Sequence, residues 1–278
     1  MHIDAHQHFW KYNVSEFGWI DDSMATIRRD FLPEHLQLEL ARNNFQGSVV
    51  VQTRQTLEET RWLLGLADSS PQILGVVGWV DLQNADVGSQ LAEFSKHRKF
   101  VGVRHIVQSE PDDRFLLRQD FMRGISLLEE FDLAYDILIY AQHLPVAAEF
   151  VARFPRQRFV LDHLAKPQIR QGEMESWAEG IRRLAEYPNV CCKLSGLVTE
   201  ADWQRWTPAQ LIPYLDVAFE AFGPGRLMIG SDWPVCLVAA SYDRVVDVVK
   251  DYLRRCAPKE RAAVLGGNAQ RFWRLQLQ

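Results

Sequence analysis

Eight short apolar runs of strand length recur along the chain, with longer helix-like stretches between them. They lie at His2–His8, Ser48–Thr53, Ile73–Val80, Val101–Ile106, Ala134–Tyr140, Arg158–His163, Asn189–Ser195 and Leu227–Asp232. Phe121, Ile125 and Leu128 mark an apolar helix face in one intervening stretch. In another, Thr207-Pro208 offers a capping hydroxyl before a proline at the first helical position, and Gly223-Pro224-Gly225 ends the helix. Eight strand–helix units in 278 residues predict an α/β fold with one domain over residues 1–278, a closed (β/α)8 barrel. Such barrels need roughly 250 residues. A doubly wound open sheet is the alternative, but no G-x-G-x-x-G follows the first strand. The stretch from Phe9 to Pro33 carries several aromatics and is expected to cover one end of the barrel, and Pro258–Trp273 to supply closing helices.

Composition excludes several classes of function. Hydrophobic residues make up 47% and the net charge is −5. That mild acidity gives no sign of a nucleic-acid or membrane partner. The four cysteines form no C-x-x-C pair, so neither a zinc knuckle nor a redox motif is expected. Reduced thiols point to a cytoplasmic protein. A strand-like segment begins at once, so no signal peptide is expected, and no apolar run approaches the roughly 18 residues of a membrane span. A monomer or a small homo-oligomer is expected.

In a barrel the catalytic residues sit at the C-terminal ends of strands. The first run ends in His6-Gln7-His8, and a period of two puts both imidazoles on one side, with Asp4 in the same parity. An isolated His-x-His is more often a pair of satisfied histidines. The other strand ends add Gln52 and Arg54, Arg104 and His105, Asp136, Gln142 and His143, Asp162 and His163, Lys193 and Ser195, and Asp232. Alternation lets one member of each neighbouring pair face inward, and Arg104 and His163 are the ones expected there. Asp162 is left free to pair with Lys166 on the outer ring, and His143, opening a helix before Leu144-Pro145, is expected to be a surface or loop residue. Lys193 is read either as a substrate group or as an internal partner of Asp136. So many ionisable groups at unrelated strand ends are costly without a function. Three histidines and a carboxylate suit either one divalent ion or a metal-free hydrolytic site.

Asp4-Ala5-His6-Gln7-His8, Gly102-Val103-Arg104-His105, Leu161-Asp162-His163, Cys192-Lys193-Leu194-Ser195-Gly196 and Gly230-Ser231-Asp232-Trp233-Pro234 together resemble the amidohydrolase superfamily, and within it the L-fuconolactonase and sugar-lactone hydrolase branch. The resemblance runs nearly end to end. It implies a distorted (β/α)8 barrel with His6, His8, His163 and Asp232 at its centre. Binuclear members use a bridging carboxylated lysine and a later histidine. Here Asp136 and Lys193-Leu194-Ser195 stand in the corresponding places, so the expected metal is a single divalent ion, zinc, at His6, His8, His163 and Asp232, if catalysis uses one at all.

The reaction expected is hydrolysis of a sugar lactone, with Asp232 as general base and Arg104 and His163 steadying the oxyanion. Gln52, Arg54, Asp136, Gln142 and Lys193 are candidates for holding the sugar hydroxyls, and Trp10, Trp19 and Trp233 for stacking on the ring. Alternatives are a zinc-dependent decarboxylase of the same superfamily, a lactonase for an aromatic-degradation lactone, and a sugar-binding barrel without catalysis.

Overall fold

The computed structural model describes residues 1–276. Its eight strands are β1 (Ile3–Gln7), β2 (Gly47–Val51), β3 (Ile73–Gly78), β4 (Phe100–His105), β5 (Ala134–Ile137), β6 (Phe159–Leu161), β7 (Val190–Leu194) and β8 (Leu227–Ile229). They pair in parallel, in chain order from β1 to β8. Every strand residue is buried except Cys191, which is half-buried. Continuous apolar runs are what a sheet covered on both faces requires. Each strand ends before its apolar run does, because the C-terminal residues of the run leave the ladder and become loops.

The outer ring comprises α1 (Pro33–Arg42), α2 (Leu57–Ser69), α3 (Val87–Phe94), α4 (Gln119–Leu127), α5 (Leu144–Ala152), α6 (Glu175–Ala185), α7 (Pro208–Phe222) and α8 (Tyr242–Tyr252). The α7 helix starts as its sequence dictates. Gln210 Oε1 accepts the Thr207 N–H at 2.9 Å, Pro208 fills the first helical position, and Gly223 ends the helix at φ 66°. Two short helices, α9 (Pro258–Ala262) and α10 (Asn268–Trp273), follow. Phe272 and Trp273 of α10 pack against Ile3, Val49, Val101 and Met228 and close the lower end of the barrel. No helix among the described residues is long and apolar enough to cross a membrane.

The barrel closes through a narrow seam. A bridge between Gln7 and Trp233 joins β1 to the segment after β8, with His8 N–H donating to the Trp233 carbonyl at 2.7 Å and Asp232 N–H to the His6 carbonyl at 2.8 Å. Beneath it, buried Asp4 fastens the seam. Its Oδ1 accepts the Ser231 N–H at 2.9 Å, and its Oδ2 accepts Ser231 Oγ–H at 2.6 Å and Tyr242 Oη–H of α8 at 2.9 Å. Asp4 therefore does not join His6 and His8, although their parity matches. The β1–β2 register shifts between Asp4 and Gln7, and a bulge of this kind sends the residues before it to the other face.

The Phe9–Pro33 stretch is an ordered cover. Trp10 bridges to Phe31, and Phe31 packs edge-on to Trp233 with ring centroids 5.1 Å apart. That packing corrects two expectations. Trp10 and Trp233 are buried in this aromatic cluster and present no face to a ligand.

Candidate active site

A cleft of about 420 Å³ opens at the C-terminal ends of the strands. His8, Arg104, His163 and Asp232 line it, together with Trp19, Gln108, Tyr140, Lys166, Glu200 and Trp203. A groove of about 510 Å³ between α7 and α8 is larger, but none of the metal-ligating groupings among the described residues lies there.

His6, His8 and Asp232 converge. His6 Nε2 lies 3.2 Å from His8 Nε2, and Asp232 Oδ1 lies 3.3 Å from His8 Nε2 and 3.9 Å from both His6 Nε2 and His163 Nε2. His8 Nδ1 donates to the Val51 carbonyl at 2.7 Å, which leaves Nε2 with a free lone pair. His163 Nδ1 lies 2.9 Å from Ser195 Oγ. A hydroxyl both donates and accepts, so either tautomer of His163 is satisfied there.

The backbone after β6 brings His163 in. The strand stops at Leu161, and His163, Leu164, Ala165 and Lys166 are all left-handed, with φ from 50° to 57°. That conformation costs about 1–2 kcal/mol per residue, a strain characteristic of functional sites. Trp177 Nε1–H anchors the turn on the Leu164 carbonyl at 2.7 Å. Gly196 makes room for the ring, since a Cβ there would stand 2.6 Å from His163 Nδ1. The choice between Asp162 and His163 falls away, because alternation ends with the strand and both reach His6.

Asp162 does not pair with Lys166 on the outer ring. It lies fully buried beneath His6, its Oδ1 3.4 Å from His6 Nδ1 and 2.8 Å from Lys193 Nζ, and its Oδ2 3.1 Å from Arg104 Nη1. Lys193 also holds Asp136 and lies 3.0 Å from His6 Nδ1. Two carboxylates and two cations thus form a buried layer between the apolar floor of the barrel and the cleft.

These surroundings set the charges. Burial, with Lys193 adding to it, drives His6 well below its ordinary pKa. Burial also lowers His163 to about 4, although Asp232 and Asp162 oppose it. Burial would raise Asp232, but His163, His8 and His6 outweigh it and hold the carboxyl well below the usual range. Asp162 is likewise held low against burial by Lys193, His6 and Arg104. Burial, with Asp162 alongside, pushes Asp136 up to about 7 despite Lys193. At neutral pH the cleft floor therefore holds the Asp232 carboxylate together with neutral His6 and His163.

A linkage test follows for the metal-free protein. His163 is protonated below about pH 4 when folded but below 6.5 when unfolded. The unfolded chain binds more protons in that window, so His163 withdraws stability as pH falls from 6.5 to 4. Asp136 runs the opposite way, because its folded value is raised, so the whole-protein curve does not isolate His163. The stability difference between wild type and His163→Gln does, and is expected to shrink by about 3 kcal/mol across that window. Urea titrations at pH 4.5 and 7 measure it, and a difference independent of pH contradicts a neutral buried His163.

The donor set fits one divalent ion. Zinc–nitrogen bonds of about 2.0–2.1 Å put tetrahedral ligands about 3.4 Å apart. The two short separations, within the set His6, His8 and Asp232, match that edge, while His163 stands farther off, 3.9 Å from Asp232 Oδ1. His6, His8, His163 and Asp232 would hold the ion, with Asp162 and Ser195 orienting the His6 and His163 rings.

The other expected substrate groups mostly stand elsewhere. Trp19 lines the cleft. Asp136 and Lys193 are wholly buried beneath it, and so is Gln52, whose Nε2–H donates to the Arg104 carbonyl at 3.1 Å. Arg54 is drawn aside by Glu16 at 2.7 Å, and Gln142 reaches Asp113 on the rim. His143 is buried rather than on the surface, because Nδ1 accepts the Tyr140 N–H and Nε2 meets Asp113. His105 faces outward and stacks on Phe115 with centroids 4.8 Å apart, which leaves Arg104 inward. Gln108, Glu200 and Trp203 are not among the residues the sequence singles out, and Lys166, expected on the outer ring, lines the cleft instead. They stand in loops beyond the strands, where no period says which way a side chain turns.

A model of the amidohydrolase family matches residues 3–275. The chain is 41% identical to an L-fucono-1,5-lactonase of Burkholderia multivorans, over 99% of this chain and 96% of that protein. It is 39% identical to the L-fucono-1,5-lactonase of Burkholderia ambifaria, over 98% and 95%. The crystal structure of an amidohydrolase from Burkholderia multivorans with bound zinc superposes with a TM-score of 0.97 at 40% identity, over 99% of this chain and 100% of that one.

Proposed function

This chain belongs to the amidohydrolase family, and from that premise we propose that it hydrolyses a sugar lactone, L-fucono-1,5-lactone or a close aldonolactone, to the open aldonic acid. The observation that carries the reading is the whole-length similarity to two L-fucono-1,5-lactonases. The geometry supports it with an ionised Asp232 carboxylate beside His6, His8 and His163 at the floor of a cleft.

Asp232 accepts a proton from water as the water oxygen attacks the lactone carbonyl carbon. The carbonyl oxygen becomes an oxyanion, which Arg104 and His163 stabilise. Arg104 is suited to this. Its Nη atoms hold Asp162 and the Gln52 carbonyl, and its buried Nε–H has no partner. With no metal on its ring, His163 donates from Nε2 when Ser195 Oγ–H serves Nδ1. A preorganised donor of this kind contributes about 3 kcal/mol. As the tetrahedral centre collapses, the ring C–O bond breaks and Asp232 returns its proton to the leaving oxygen, so one carboxylate serves as base and then acid. A divalent ion bound by His6, His8, His163 and Asp232 would supply Lewis acidity toward the carbonyl oxygen.

A pH-indicator assay over a panel of aldonolactones, with and without chelator, tests the reading. Rapid acid release from L-fucono-1,5-lactone or a stereoisomer is expected. No hydrolysis of any lactone, or release of carbon dioxide from an aromatic acid, overturns it. The chelator arm reports whether a metal contributes.

A further inference from the structure

We propose that Glu200 is a specificity-determining residue that, with Lys166 and Gln108, recognises hydroxyl groups on the lactone ring. The inference rests on the lactonase reading and assigns the part of the cleft that reads the sugar.

Glu200 ends the short turn Val198–Glu200 after β7, and its side chain lines the cleft. Among the described residues its carboxylate takes no hydrogen bond and forms no ion pair, although it is only half-exposed. Lys166 lines the same cleft, and its ammonium also has no carboxylate partner among the described residues. It rests 5.6 Å from the centroid of the Tyr140 ring. Gln108 supplies a third open group, a buried Oε1 without a partner. An unpaired acceptor in a semi-enclosed site costs free energy unless a ligand completes it.

The kind of ligand follows from the mixture. Each hydroxyl both donates and accepts, so adjacent hydroxyls can donate to Glu200 and Gln108 Oε1 while accepting from Lys166. A ligand carrying carboxylates would meet Glu200 and Asp232 together, and of the two cleft cations Arg104 is already paired with Asp162, which leaves Lys166 alone to offset both. Trp19 and Trp203 on the cleft wall suit the apolar face of a ring. The class is therefore a neutral polyhydroxylated lactone rather than an anionic one.

The test compares L-fucono-1,5-lactone with δ-valerolactone, a six-membered lactone without hydroxyls, in wild type, Glu200→Gln and Lys166→Met. Losing a hydrogen bond to a charged group costs about tenfold or more in discrimination. The ratio of kcat/KM for the sugar lactone to that for δ-valerolactone is expected to fall about tenfold in each variant, mainly through KM for the sugar lactone. A ratio that holds in both variants overturns the inference, as does an equal loss on both lactones, which marks a structural or chemical role. Melting temperatures show whether a variant is folded. Wild-type failure on both lactones is a different result: it sinks the lactonase reading, and this inference with it.

Discussion

Asp232→Asn is expected to lower kcat about a thousandfold or more while the protein still folds, within the range that general-base catalysis supplies. The substitution keeps the shape of the side chain and removes its capacity to take a proton. It also keeps the backbone. Asp232 is left-handed, with φ 58°, and its N–H donates to the His6 carbonyl at 2.8 Å. Asparagine tolerates that conformation, whereas alanine would add a backbone cost of about 1 kcal/mol or more. The carboxylate faces His8 Nε2 at 3.3 Å, and the surrounding histidines hold it ionised well below the usual carboxylate range. Steady-state kinetics with the best lactone of the panel, beside circular dichroism and a melting curve, measure both halves. Turnover within about tenfold of wild type would remove Asp232 from the role of base.

The barrel and the strand-end constellation were legible because both follow from periodicity. A strand reports which side a residue faces as long as the ladder continues, and along β4 that rule turns Arg104 inward and His105 outward. It failed where the ladder breaks. The bulge in β1 turned Asp4 to the seam, and the left-handed turn after Leu161 brought in both Asp162 and His163. Depth was the second blind spot. Gln52, Asp136 and Lys193 face the barrel axis as their positions suggest, yet they are buried a layer below the cleft. Sequence gives the face of a strand residue more readily than its height above the barrel floor. The cleft wall was the third. Glu200, Lys166 and Gln108 lie on loops, whose course depends on tertiary packing that no local period encodes.

The buried ionic layer carries the second large effect. Lys193→Met is expected to destabilise the fold by about 3–5 kcal/mol, the usual cost of removing one partner from a buried ion pair. Methionine fills nearly the same volume, so the loss is electrostatic rather than a cavity. It leaves Asp136 and Asp162, both fully buried, with only Arg104 in place of two cations. The sign with pH follows. Asp136 already sits at about 7 when folded, above its value in the unfolded chain, and without Lys193 it rises further. A folded pKa above the unfolded one gives stability at low pH that is lost as pH rises toward the folded value. The Lys193→Met deficit should therefore be smaller at pH 5 than at pH 8. Adding Asp136→Leu removes the stranded carboxylate and should restore a large part of the loss, so the double variant is more stable than the two single effects predict. Urea unfolding of wild type, both single variants and the double variant at two pH values completes the cycle. Additive single effects, or a Lys193→Met deficit independent of pH, would show that Lys193 and Asp136 do not act as a pair. The packing of Lys193 over the Trp273 ring of α10, whose centroid lies 5.1 Å from Nζ, would then carry the stability instead.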